Sequence, residues 1–350
     1  MTCLRIPEGR MALAAYYRTA AVQIVREGLN YVRTELRSQI VSGQVNPLAV
    51  QADSEQDGYS PTRIDAVMDR LIEQRVRQLS PGATYISEEN RKTVSPDPGD
   101  IYAIADPLDG TTNAFTMFGA YSVVLYFDRF TGNEFDHLGG AIASSDGSIV
   151  SWQNFRNGEG EVWIDWPENF DWPTTDATAE TDTIQPATQI PRPPLGIQVA
   201  RKRRAGGSWA GRPQAEIHHG LSTRMAAVSY STGRRADLDD HFDFKPRADD
   251  GESRLYVSSF AGNPVIAPLL VGQLGSVVET RAVKLHDAAF LIPLVLAGGL
   301  VVDFTDTEIN VLRCFQQHDG ADPLARRIGP FIAAADDTVL ETVLRRLRRK

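Results

Sequence analysis

The chain has 350 residues, of which 42% are hydrophobic and 23% are charged, a composition typical of globular proteins. This length predicts about two domains or one large α/β unit, with a core that needs no disulfide or structural metal. The 36 basic and 45 acidic residues give a formal net charge of −9, which argues against general binding to nucleic acid or to anionic membranes. A small phosphorylated ligand is not excluded, because a local site can oppose the global charge.

Cysteine usage and the apolar runs indicate the compartment. Cys3 and Cys314 are far apart and show no metal-ligand spacing, so we expect no disulfide scaffold and a reducing compartment. The apolar stretch at 11–15 is interrupted at once by polar residues, which argues against a signal peptide. The longest apolar run, 288–302, is shorter than the ~20 residues that span a bilayer. We therefore expect a cytoplasmic protein.

The first half of the chain predicts two helices followed by strands. Apolar residues at three- and four-residue spacing predict a long helix over 11–41. A second helix is predicted from Ser60 to Leu79, because serine caps a helix and Pro61 suits its first position. Short apolar runs predict strands at 84–87, 101–105, 121–127, 138–143 and 148–152. This order indicates a layered α+β unit.

The middle of the chain differs in composition. Residues 165–194 interleave proline with threonine and acidic residues, which predicts an exposed insertion or linker. The basic run at 201–204 is interpreted as a solvated flank of this insertion rather than a lid. Beyond residue 222 the elements alternate again. The predicted helices are 264–274, 287–296 and 338–349, and the predicted strands are 255–258, 276–279, 300–304 and 331–335.

Acidic residues follow the predicted strands at two places. The strand at 101–105 leads to Asp106, and a turn with proline and glycine then displays Asp109. Carboxylates at a strand end suit a hard divalent cation, and the amides of residues 110–112 suit a phosphate. These residues alone leave open a surface turn with capping side chains. Glu88 and Glu89 follow the strand at 84–87 in the same way.

A third acidic position is Asp287, at the start of the most apolar predicted helix. An acidic side chain is favoured at a helix N-terminus, so helix capping is an alternative to a metal-binding role at this position.

Four segments resemble motifs of the inositol monophosphatase family of magnesium-dependent phosphatases, and they follow one another along the chain in the same order as in that family. They are DPLDGTTN at 106–113, which resembles DP(I/L)DGT-N; SEEN at 87–90, similar to GEES; SPTRID at 60–65, similar to PVT-x-x-D; and HDAA at 286–289, similar to WD-x-AA. The resemblance extends over about 11–160 and 255–340 and leaves out 165–222.

The resemblance implies a metal centre with two or three Mg²⁺ ions. Glu88, Asp106 and the carbonyl of Leu108 would hold one ion. Asp106, Asp109 and Asp287 would hold a second, with Asp106 bridging the two. Ions in such a pair lower the pKa of the attacking water and stabilise the leaving alkoxide.

The resemblance also implies the remaining site residues. Gly110, Thr111 and Thr112 would bind the phosphate group. Thr111, paired with Asp65, would orient the attacking water and help to deprotonate it, and Glu279 resembles a position that contacts substrate hydroxyls.

The implied fold is a layered αβαβα sandwich with the active site between two subdomains. We expect a metal- and phosphate-binding subdomain at 1–164, the insertion at 165–194, and a subdomain at 195–350 that supplies Asp287 and substrate contacts. The family is often dimeric, so a homodimer is also an expectation. The implied partner is a small-molecule phosphate monoester.

The chain departs from the family pattern at three positions. Serine replaces the glycine before Glu88, His286 replaces the usual tryptophan, and Leu296 stands where an acidic residue is expected. These departures remove no predicted metal ligand, and they leave the substrate open among inositol, sugar and histidinol phosphates. The alternatives are a bisphosphate nucleotidase-type phosphatase and a catalytically retired relative that binds a phosphorylated ligand.

Overall fold

The computed structural model describes residues 9–43, 63–90, 96–116, 120–156, 159–167, 197–198, 225–229, 242, 256–260, 262–271, 274–317, 323–335 and 337–346. The predicted insertion, apart from its first three residues, and the basic run at 201–204 lie outside these ranges. Every helix within them is too short or too polar to cross a lipid bilayer.

The first half contains two long helices. Helix α1 (Arg10–Tyr31) continues through a π-helical turn (Val32–Leu36) into α2 (Arg37–Val41), and α3 spans Arg63–Leu79. Gly28 of α1 lies at their contact, where an added Cβ would approach Ile72 Cδ1 to 3.0 Å. The predicted helices at 11–41 and up to Leu79 are confirmed.

Seven strands form one sheet in chain order. They are β1 (Ala83–Ser87), β2 (Ile101–Asp109), β3 (Ser122–Phe130), β4 (Phe135–Ser144), β5 (Ile149–Arg156), β6 (Glu159–Asp165) and β7 (Ile197–Gln198). Strands β1 and β2 pair in parallel, and all the other neighbours pair antiparallel. The short helix α4 (Thr111–Thr116) follows β2.

The second half adds a five-stranded sheet and a two-stranded ribbon. The sheet contains, in spatial order, β12 (Leu300–Val302), β14 (Phe331–Ala334), β10 (Ser276–Glu279), β8 (Met225–Ser229) and β9 (Tyr256–Phe260). The ribbon pairs β11 (Val283–Lys284) with β13 (Arg327–Ile328). The helices are α5 (Ile266–Leu270), α6 (Leu291–Leu296), α7 (Val311–Gln316) and α8 (Asp337–Leu344), and 3₁₀ turns cover Asn263–Val265 and Pro323–Ala325.

Three hydrophobic cores order these elements into layers. Helices α1 and α3 pack on one face of the seven-stranded sheet. The other face packs on α5 and α6, which also cover one face of the five-stranded sheet. Alternation along β10 places Val277 in this core and Val278 in a third one, beneath α8. The layers therefore run αβαβα, and the predicted fold class is confirmed.

Two predicted boundaries were wrong at places that matter for the site. Strand β2 continues beyond residue 105 to Asp109. The helix predicted from 287 begins only at Leu291, because residues 285–291 form successive turns closed by bonds such as Leu291 N to Ala288 O. Pro293 is tolerated in the first turn of α6, where its missing N–H is not needed. Asp287 therefore lies in a turn ahead of the helix, and helix capping does not explain it.

The close packing of β4 on β3 yields a test. A Cβ on Gly140 would lie 2.6 Å from Tyr126 Cβ and 2.7 Å from Leu125 O, whereas one on Gly82 would meet nothing within 4 Å. We expect Gly140→Ala to lower the free energy of unfolding by about 1–3 kcal/mol through overpacking. Gly82→Ala should change it by less than about 0.5 kcal/mol. Urea unfolding measures both, and equal midpoints for the two variants would contradict the packing argument.

Candidate functional site

The parallel pairing of β1 with β2 brings Glu88 to Asp106. Ser87, the last residue of β1, lies opposite Ala105 of β2, and the Glu88 amide donates to the Ala105 carbonyl at 3.4 Å. The residues that follow this pair, Glu88 and Asp106, are therefore two acids side by side at the same end of β1. Asp106 is only 3% exposed.

A bulge in β2 brings Asp109 to the same side as Asp106. Asp106 pairs with Val124 and Asp109 with Ser122, so three steps along β2 match two along β3. Residues three apart in a regular strand point to opposite faces, and the extra residue corrects this. Within the turn, the Leu108 amide donates to Asp106 Oδ1 at 3.3 Å.

Asn263 connects β2 to the turn that carries Asp287. Its backbone amide donates to Asp109 Oδ2 at 2.7 Å. Its buried side chain donates to the His286 carbonyl and accepts from the Phe290 amide, both at 2.9 Å. Sequence reasoning missed this residue, although the Asn-Pro pair before a predicted helix was a signal for a structured turn.

Gly262 makes the approach of these segments possible. A Cβ at this position would lie 2.6 Å from the Asp287 carbonyl and 3.4 Å from Asp109 Oδ2. The backbone therefore passes between the two acidic residues at a distance that no side chain would allow.

Two basic side chains face Glu88 from the second half of the chain. Lys284 Nζ donates to Glu88 Oε1 at 2.7 Å. His286 Nε2 lies 3.6 Å from the same oxygen and 3.5 Å from Asp287 Oδ1. Among the described residues, Glu88, His286 and Asp287 form a group whose potential ligand atoms lie within 4.8 Å of one another.

The carboxylates repel one another. Burial, and then the charge of Asp287, raise the pKa of Asp109 to about 7. Burial and the charge of Asp109 raise the pKa of Asp106 well above its usual range, and burial also raises the pKa of Asp287. Burial opposes ionisation of Glu88 as well, but the nearby charge of His286 and the hydrogen bond and charge of Lys284 hold its pKa at about 2. Such a concentration of acids that are largely withdrawn from water is typical of a cation site.

The predicted pair of Asp65 and Thr111 is in contact. Asp65 is buried in the first turn of α3. Thr111 opens α4, and its hydroxyl lies 2.6 Å from Asp65 Oδ1 and 3.0 Å from the Leu108 carbonyl. Gly110 allows the sharp turn into α4 with a φ of 82°. The side chain of Thr112 lies outside the described part of the structure.

Glu279, the remaining predicted site residue, lies on another strand, β10. It ends β10 opposite Phe331 and is 1% exposed. Its contact with substrate hydroxyls stays a prediction.

A buried network explains the serine before Glu88. Asp69, one helical turn after Asp65, accepts hydrogen bonds from the Tyr85 hydroxyl at 2.8 Å and from the Ser87 hydroxyl. The Ser87 oxygen in turn accepts from the Asn90 amide at 3.0 Å. The network ties the end of β1 to α3, so that Glu88 and Asp65 are supported from the same helix.

The bridging role of Asn263 is testable. Asn263→Ala leaves the His286 carbonyl and the Phe290 amide without their partner, and each unpaired buried group costs about 1–3 kcal/mol. We expect the free energy of unfolding to fall by at least about 1 kcal/mol in urea. Asn30→Ala, on the exposed side of α1, is the control and should leave the midpoint nearly unchanged. A similar result for both variants would contradict the bridge.

Comparison with known proteins begins with sequence. No family model matches the chain. A class 1 fructose-1,6-bisphosphatase from Natronomonas pharaonis is 33% identical over 78 residues. The match spans 20% of this chain and 28% of that relative's length.

Solved structures match the chain over almost its whole length. The SuhB protein of Bartonella henselae aligns with a TM-score of 0.54 at 15% identity, over 93% of this chain and 96% of its own. Leishmania major fructose-1,6-bisphosphatase aligns with a TM-score of 0.55 at 12% identity, over 93% and 94%. An IMPase/NADP phosphatase, solved with NADP and Ca²⁺, aligns with a TM-score of 0.52 at 12% identity, over 95% and 98%. The chain therefore has the fold shared by inositol monophosphatase-like proteins and fructose-1,6-bisphosphatases.

Proposed function

We propose that the chain is a metal-dependent phosphatase that hydrolyses the phosphate monoester of a small metabolite. One observation carries the proposal: four acidic residues from three segments, Glu88, the pair Asp106 and Asp109 on β2, and Asp287, converge beside the hydroxyl of Thr111. The fold common to named phosphatases supports the same conclusion.

The donor set fits Mg²⁺. Hard divalent cations take carboxylate and carbonyl oxygens, and a cation offsets the burial and the repulsion from Asp287 that together raise the pKa of Asp109 to about 7. In the proposal, Glu88, Asp106 and the Leu108 carbonyl hold one ion. Asp106, Asp109 and Asp287 hold a second. Bound ions would supply positive charge to the phosphoryl oxygens and lower the pKa of the attacking water.

The Asp65–Thr111 pair is the proposed base. Because the Thr111 hydroxyl donates to Asp65 at 2.6 Å, its oxygen keeps a lone pair that can accept a hydrogen bond from a water molecule. The pair thus orients the water and passes its proton to the Asp65 carboxylate. Asp65 is buried in the first turn of α3, which keeps this geometry rigid.

The start of α4 is the proposed phosphate site. The first amides of a helix have no partner within it, and those of Thr111 and Thr112 follow the turn at Gly110. The proposed substrates are inositol, sugar or histidinol phosphates. The proposal includes subdomains at 1–164 and 195–350 with the site between them, a homodimer and a cytoplasmic location.

Phosphate release tests the activity. The purified protein is assayed with sugar, inositol, histidinol and nucleotide phosphates in Mg²⁺ and in EDTA. We expect at least one compound to be hydrolysed in Mg²⁺ and its hydrolysis to stop in EDTA, since without a cation the carboxylates repel the negatively charged phosphate group. No turnover, combined with no heat of Mg²⁺ binding by calorimetry, would contradict the proposal and favour the retired relative. Calorimetry of Asp106→Asn, which lacks a proposed ligand, is the control, and a real site should give this variant less heat of Mg²⁺ binding than the wild type.

Substitution of Thr111 tests the base. Thr111→Val removes the hydroxyl at nearly constant volume, and we expect kcat to fall by about 10²–10⁴-fold, the usual contribution of acid–base catalysis. Thr111→Ser keeps the hydroxyl and should retain most of the activity. Steady-state kinetics on the best substrate separate kcat from KM. Equal kcat values for the valine variant and the wild type would rule out this role.

A further inference from the structure

His286 lies in an environment that packing alone does not explain. Its side chain is 1% exposed, and neither ring nitrogen makes a hydrogen bond within the described ranges. Burying an imidazole that makes no hydrogen bond is unfavourable. An aromatic hydrocarbon ring would fill the same space without this cost.

The surrounding oxygens are spaced as ligands of one ion. Nε2 lies 3.6 Å from Glu88 Oε1 and 3.5 Å from Asp287 Oδ1, too far for good hydrogen bonds. Two ligand atoms that each lie about 2.1 Å from a metal are roughly 3.0–3.5 Å apart at octahedral or tetrahedral angles. The Nε2 distance to Asp287 lies at the upper end of this range and that to Glu88 just above it, so a small shift of the side chains closes all three around one ion.

We propose that Glu88, His286 and Asp287 form a mixed nitrogen and oxygen site that binds a first-row transition ion, such as Mn²⁺, Co²⁺ or Zn²⁺, in preference to Mg²⁺. The inference rests on the proposed metal-dependent function and adds a further ion position, which shares Glu88 with one proposed Mg²⁺ and Asp287 with the other. Mg²⁺ favours oxygen ligands, whereas an imidazole raises the affinity for transition ions.

Lys284 is compatible with such an ion. Its ammonium donates to Glu88 Oε1 at 2.7 Å, and a carboxylate has about four lone-pair sites. Glu88 can therefore accept the hydrogen bond from the Lys284 ammonium and bind a metal ion at the same time. The ammonium also holds the carboxylate in place on the side of His286.

Pulsed EPR of Mn²⁺ added to the full chain tests the site directly. We expect modulation from a ¹⁴N nucleus bound to Mn²⁺, and its replacement by a ¹⁵N signal when only the histidines carry ¹⁵N. This labelling assigns the nitrogen to an imidazole and needs no variant that has to fold.

Calorimetry supplies the second measurement. We expect the wild type to bind Mn²⁺ more tightly than Mg²⁺. In His286→Trp, checked for an unchanged urea midpoint, the Kd for Mn²⁺ should rise by more than about tenfold, because even partners outside the ligand sphere contribute 10–100-fold. The Kd for Mg²⁺ should change much less.

The outcomes separate this inference from the proposed function. Mn²⁺ that binds without a histidine nitrogen signal would overturn the mixed site and leave the phosphatase proposal intact. Equal loss of Mn²⁺ and Mg²⁺ affinity in His286→Trp would also overturn it. Failure of every divalent ion to bind the wild type would overturn both.

Discussion

The site depends on holding like charges together inside the protein. Asp106, Asp109 and Asp287 are all buried enough for burial to raise their pKa values, and each unpaired buried charge costs several kcal/mol. The protein offsets part of this with hydrogen bonds from backbone amides, such as Asn263 N to Asp109. In the proposed metal site, a bound cation would return the rest of this free energy, so metal binding and folding would be coupled.

Rigid backbone makes that concentration of charge possible. The parallel pair β1–β2 sets Glu88 beside Asp106, and the bulge in β2 turns Asp109 to the same side. Hydrophobic cores on both faces of the seven-stranded sheet hold these strands. The polar network of Asp69 and Ser87 is buried between these packed layers. This network fixes the end of β1 against α3 beneath the site.

Much of the fold followed from local patterns. Helices α1 and α3 showed helical spacing of apolar residues, and β1 to β5 showed short apolar runs, so their existence was predictable and only their ends shifted. Strand β6 was missed, because its burial alternates only partly along Glu159–Asp165. The turns at 287–290 were taken for helix because their apolar composition does not distinguish a buried turn from a buried helix.

The sequence by itself determined which acidic residues were candidates, since Asp106 and Asp109 follow one apolar strand, and its resemblance to a known family added the hydroxyl of Thr111. Only the tertiary structure decided what faces them. Lys284 meets Glu88 across 196 positions, and Asn263 meets Asp109 across 154. Contacts this distant follow from the order of strands and layers rather than from any local period. The basic and nitrogen groups around Glu88 therefore became visible only once the two sheets were in place.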